Sequence, residues 1–250
     1  MKNIKEFYII GEPIETKIGD LHPIYIKDYP TMLEYVGVLV LDKASVLNTL
    51  KPMIMQDESL SVLLDLANEL SLYEFICLFE DVEYTGSFLH DLYNQYRDMF
   101  ILCFKDDVFH KIETNEEFEY YIDLIKNFND IKHEKENPNP EIARMDELKR
   151  RLQEARGELV TFEAMFTSTL LSSSINPKDM TLYQFNKAFD RIGYFKSYNT
   201  STLFATVSGD AEITPWYSTT KSEDKQTTIT QEQLNRAKTQ SNKGGLQENL

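Results

Sequence analysis

The chain has 250 residues, 42% of them hydrophobic, with 15 Phe and 14 Tyr; this is enough apolar material for one large or two smaller packed domains and excludes a wholly disordered chain. Only 9 glycines are present, which argues against a turn-rich all-β sandwich. The net charge of −15 lies entirely in residues 1–137, where 27 acids stand against 12 bases, so this surface repels a phosphate backbone and no nucleic-acid partner is expected there.

The amino-terminal segment reads as extended. Phe7-Tyr8-Ile9-Ile10 is an apolar run stopped by Gly11-Glu12-Pro13, and Ile14 to Ile18 and Leu21 to Ile26 alternate. That pattern predicts two or three short strands, with a hairpin turning at Gly19-Asp20 and with Pro13 and Pro23 at edges or strand starts.

Helices follow. Asp28-Tyr29-Pro30-Thr31 has the marks of a helix start, a capping residue and a proline in the first turn. Val46, Leu47, Leu50, Met53 and Ile54 recur at helical spacing. Asp57 or Ser59 is expected to cap the next helix, which carries Leu60, Leu63, Leu64 and Leu66. Ser71-Leu72-Tyr73-Glu74 is a capping-box pattern. A long stripe runs from Phe88 to Phe100, then a short extended piece from Val108 to Ile112. Thr114-Asn115-Glu116-Glu117 opens a helix carrying Phe118, Tyr121, Ile122, Leu124 and Ile125.

Residues 132–140 are polar, contain Pro138 and Pro140, and read as a linker or long loop. They divide an acidic α+β domain (1–131) from a helical domain (141–217). Glu141 to Arg156 predicts a solvated helix with Leu148 and Leu152 four apart. Thr161 opens an apolar helix to Leu171. Asp179-Met180-Thr181 starts another, with Leu182, Phe185, Phe189 and Ile192 on one face. Thr200 to Val207 fits either a helix or a strand, and Ile213 to Tyr217 reads as an extended arm. Residues 218–250 hold few apolar positions and predict a disordered tail. The fold class is therefore mainly α (α+β), with a small N-terminal β-hairpin packed on helices.

Chemistry-bearing patterns are sparse. His22, His90, His110 and His133 do not stand at metal-ligand spacing, and neither Cys77 nor Cys103 belongs to a C-x-x-C pair. The two cysteines read as buried free thiols of a reducing compartment, with a disulfide as the minor alternative. No phosphate-binding glycine loop and no nucleophile elbow occur. The amino terminus lacks the apolar stretch of a signal peptide, and Val36 to Leu41 is too short to span a bilayer. The expectation is a soluble, intracellular, non-enzymatic protein that takes no cofactor, metal, small-molecule substrate, nucleic acid or membrane.

The candidate partner-binding residues are aromatic. Tyr183, Phe185 and Phe189 belong to a dense set whose bland reading is a domain core. Trp216 and Tyr217 border the polar tail, where they either pin the arm or anchor an interface.

Several short motifs carry a resemblance. Gly11-x-Pro13 with Ile18-Gly19, Asn137-Pro138-Asn139-Pro140-Glu141-Ile142, Met180-Thr181-Leu182-Tyr183-Gln184-Phe185, and Thr202-Leu203-Phe204-Ala205-Thr206-Val207-Ser208 followed by Trp216 resemble proteins from phages of Gram-positive hosts. The chain looks like the tail-morphogenesis class, which includes tail assembly chaperones. That resemblance implies a helical, acidic protein of the host cytoplasm that coats the tape-measure protein or binds other tail components. It implies self-association as an option, and sometimes a longer frameshifted form with a flexible tail. A structural subunit of the tail, neck or baseplate in the virion is the alternative. The class brings no catalytic residues.

Overall fold

The structure, a computed structural model, describes residues 4–54, 61–80, 88–132, 140–156, 159–207, 213 and 215–217. The chain forms two compact units, Met1–Gly193 and Tyr194–Leu250. The expected capping by Asp57 or Ser59, most of the linker at 132–140 and the tail at 218–250 lie outside the described residues.

The described fold is mainly α with one small antiparallel ribbon. Helix α1 (Ile4–Ile10) replaces the expected first strand. A four-residue apolar run has no period that separates strand from helix, and the ending of this one decides it. Gly11 takes φ +79° and its N–H donates to the Phe7 carbonyl at 2.9 Å, a left-handed helix stop that favours glycine. Strands β1 (Ile14–Glu15) and β2 (Asp20–Leu21) pair Ile14 with Leu21 and Glu15 with Asp20. The turn thus spans Thr16 to Gly19 and leaves Asp20 in β2, so its centre falls two residues earlier than expected.

The chain from His22 to Ile26 is not the long strand that its alternation suggests. Its backbone groups go to other partners. His22 N–H reaches the Cys103 carbonyl (2.8 Å), Ile24 N–H the Asn129 side-chain oxygen (2.8 Å), and Ile26 N–H the Met180 carbonyl (3.0 Å). Leu182 N–H returns a bond to the Ile24 carbonyl at 2.7 Å. Burial does not alternate strictly either, since Pro23 and Ile24 are both buried while His22 and Tyr25 are half-buried, and the pairing is made by helix ends.

Next come α2 (Tyr29–Tyr35), with Pro30 in its first turn, α3 (Lys43–Ile54), α4 (Ser61–Glu69) and α5 (Leu72–Cys77). Asp28 precedes α2 but makes no side-chain cap bond. The Ser71–Glu74 capping box is formed in both directions. Helix α6 (Phe88–Phe104) is the central element, burying Leu92, Tyr93, Tyr96, Met99, Phe100, Cys103 and Phe104. The expected extended piece from Val108 to Ile112 is a 3-10 turn at Phe109–Lys111; Val108, Phe109 and Ile112 all turn inward there. The Phe109 ring meets Tyr73, Tyr93, Phe100 and Phe118 edge-on, with centroids 5.2–6.2 Å apart, the arrangement that ring quadrupoles favour. Helix α7 (Asn115–Phe128) is capped by Thr114 and buries Phe118, Tyr121, Ile122, Leu124, Ile125 and Phe128.

Helix α8 (Pro140–Ala155) gives none of its described residues to this core. Helix α9 (Phe162–Ser172) is capped by Thr161, as expected, and α10 runs from Leu182 to Val207. Thr200 to Val207 is therefore helical. The expected start at Asp179-Met180-Thr181 is met at Thr181, which caps α10 in a capping box. Gln184 N–H donates to the Thr181 hydroxyl oxygen (3.1 Å), and Thr181 N–H donates to the Gln184 side-chain oxygen (3.0 Å). Trp216 and Tyr217 form a turn in place of an extended arm.

Candidate partner-binding surface

Two of the motifs that suggested a family, Gly11-x-Pro13 and Met180 to Phe185, are brought together by the fold. Gly11 lies against Thr181 and Gln184 so closely that a Cβ there would stand 2.9 Å from the Thr181 methyl. Gln184 Nε2 donates to the Ile9 carbonyl at 2.8 Å. Tyr8 meets Tyr183 and Phe128 at 5.7 and 5.4 Å. Lys187 Nζ sits 3.0 Å from both oxygens of Asp130. The residues at 180–187 thus fasten the start of α10 to the amino-terminal segment and to the end of α7.

This placement separates the five candidate partner residues. Phe185 is 1% exposed, and its ring lies 5.7 Å from Phe162 and 6.4 Å from Phe166. It is spent on the core and has no surface to offer. Tyr183 and Phe189 are half-buried in the same unit. Trp216 and Tyr217, in the second unit, are 43% and 67% exposed. The Trp216 ring stands edge-on to Phe195 at 6.1 Å and to Tyr217 at 5.9 Å, so it both packs locally and presents a face.

Further exposed apolar residues occur within each unit. They are Met145, Leu148 and Leu152 on α8, Leu170, Leu171 and Ile175 at the end of α9, and Phe195, Leu203 and Phe204 on α10. Most of the exposed large hydrophobic side chains among the described residues lie beyond residue 144. The only sequence signal for the α8 set is the four-residue spacing of Leu148 and Leu152 within a highly charged helix. For the α9 set it is an apolar stretch with no polar face to balance it.

A cleft of about 390 Å³ is lined by Tyr73, Glu74, Cys77, Glu80, Tyr93 and His110, among others. Of these, Tyr73 and Tyr93 are buried, while Glu74, Glu80 and His110 are exposed. The Tyr73 hydroxyl donates to the Ile112 carbonyl at 2.6 Å. Burial first, and contact with Cys77 second, pushes the Tyr73 phenol up. Burial also raises the Tyr93 phenol, which bonds Glu80, and the Cys77 thiol. A raised thiol is a poor nucleophile. Cys77 and Cys103 are both free, Cys77 half-buried and Cys103 fully buried with its thiol pushed up to about 12 by burial. Among the described residues no group of three or more His, Cys, Asp or Glu is placed to hold a metal ion. No described helix is long and apolar enough to cross a membrane.

Residues 2–138 match the model of the YomV N-terminal domain. The chain belongs to the YomV family. Residues 165–221 match the second domain of the same family. An SPbeta prophage-derived uncharacterized protein, YomV, of Bacillus subtilis (strain 168) is 27% identical over 222 residues, covering 87% of this chain and 89% of the relative. The family match and the prophage-derived relative mark the chain as a phage protein. No solved structure matches it.

Proposed function

We propose that this YomV-family chain is a non-enzymatic assembly protein of the tail-chaperone kind. In this reading it works in the host cytoplasm, holding the tape-measure protein or other tail chains until they are built into the particle. It uses no cofactor, nucleic acid or small-molecule substrate.

One observation carries the reading, the division of labour along the chain. The whole −15 charge sits in residues 1–137, on a body whose aromatic side chains are largely spent on the core. Among the described residues most of the exposed large apolar side chains lie beyond residue 144, Trp216 and Tyr217 included. Single exposed apolar residues are ordinary, whereas their concentration in one stretch of the chain supports the reading that this part offers surface to another chain. The acidic body keeps such a protein soluble while that surface is uncovered.

Mass spectrometry of purified particles tests this. A chaperone is absent from finished virions or far below one copy per tail subunit. A fixed stoichiometric amount in the virion would show a structural tail, neck or baseplate component instead.

A further inference from the structure

Helix α8 carries an apolar seam with an unusual border. At about 100° per residue, Met145, Leu148, Leu152 and Ala155 fall within a sector about 80° wide. Met145, Leu148 and Leu152 are 70%, 58% and 49% exposed, and Ala155 is exposed too. Their 3-4-3 spacing is that of the a and d positions of a heptad. Lys149 and Arg156 border the seam on one side and Arg144 and Arg151 on the other, all four exposed. Arg156 keeps the helical register, because its N–H donates to the Leu152 carbonyl at 3.1 Å. Glu147 lies farther round the helix, bonded to Arg150 and Arg151 at 2.9 and 2.8 Å. Exposed pairs of this kind hold weakly, so Arg151 stays available to a partner.

The border decides what covers the seam. In a parallel pair of α8 helices, Arg144 would face Lys149 of the second copy and Arg151 would face Arg156. In an antiparallel pair the same cations would face one another. Either arrangement sets like charges at the positions that fix partner choice in coiled coils. The 20 residues of 138–157 are also a weakly basic island, 5 bases to 4 acids, in a strongly acidic chain.

We infer that α8 is a docking helix for an amphipathic helix of a different phage protein, one with an apolar heptad seam bordered by Asp and Glu. The inference deepens the assembly reading and rests on it for the partner's origin. The apolar seam supplies contact over about 15 Å of helix, and Arg144, Lys149 and Arg151 select the partner.

The test uses the full chain and two labelled synthetic helices of three heptads. Both have Leu at every a and d position; one has Glu at every e and g position and the other Lys. Fluorescence anisotropy at low salt should show the Glu-bordered helix bound at least tenfold tighter, with the preference shrinking as salt is added. Arg144→Glu/Lys149→Glu/Arg151→Glu should reverse the preference. Met145→Gln/Leu148→Gln/Leu152→Gln should abolish binding of both peptides while circular dichroism shows the fold kept. Equal affinity for the two peptides, binding of neither, or self-association lost in the triple Gln variant would overturn the inference. If neither peptide binds while the intact chain still co-purifies with identified phage tail proteins, the assembly reading stands and this surface is wrong. If the Glu-bordered helix binds selectively but no phage protein co-purifies, helix docking stands and the tail role falls.

Discussion

Asn129 is the side chain whose removal should cost most for its size. It is fully buried at the end of α7. Its Oδ1 accepts from Ile24 N–H at 2.8 Å and its Nδ2 donates to the Ile125 carbonyl at 2.9 Å. The first bond ties residues 105 apart in sequence, so it holds the amino-terminal segment on the α7 helix. Asn129→Ala removes both bonds and strands the Ile24 N–H without water. A buried unsatisfied donor costs about 1–3 kcal/mol and a small cavity adds to that, so the loss should be about 2–4 kcal/mol. Urea unfolding followed by circular dichroism reads it as a lower midpoint at unchanged slope. Asn127→Ala, two residues away and exposed, serves as the control and should change stability by less than about 0.5 kcal/mol. An Asn129→Ala loss no larger than that of the control would refute the claim that this side chain holds the two segments together.

Gly11→Ala forces a methyl to within 2.9 Å of Thr181 and a side chain into φ +79°; it should lower stability by about 1–3 kcal/mol, read by thermal melting. Thr169 is fully buried, and its hydroxyl has no hydrogen-bond partner among the described residues. Thr169→Val keeps the shape and should raise stability by about 1 kcal/mol in urea titration; a loss would mean that the hydroxyl is satisfied. Arg97 Nε donates to Asp107 at 2.8 Å, and this bond holds the Asp107 carboxyl below its ordinary value. A depressed carboxyl contributes stability that is present above its unfolded value, near pH 4, and is lost as pH falls through the folded value. Because the pair is over a third exposed, the effect should stay below about 1 kcal/mol. In Arg97→Gln the acid limb of the stability curve below about pH 4 should flatten by that amount.

What was legible in the sequence followed local rules. Thr114, Thr161 and Ser71 cap their helices as their positions suggested, and the stripes of α6 and α7 point inward. The errors arose where long-range partners decide. The run Phe7 to Ile10 has no period of its own, and the stop at Gly11 depends on a cleft made by Thr181 and Gln184, about 170 residues on. The backbone of His22 to Ile26 needed partners, and Cys103, Asn129 and Met180 supplied them from three separate segments. Phe185 and Trp216 were alike in sequence as aromatic candidates. Packing separated them, because Phe162 and Phe166 close over the first and the second remains partly open. The α8 seam was visible only as two leucines four apart, and only the fold reveals that none of its described residues joins the core.

The central claim is that this chain holds other phage chains during assembly. Affinity purification of the tagged full-length protein from cells making phage, with the bound proteins identified by mass spectrometry at successive times, tests it most directly. The account predicts that the tape-measure protein or another tail protein is recovered while tails are being built and is released from the chain once particles are complete. Recovery of the chain without any phage protein at every time would contradict it.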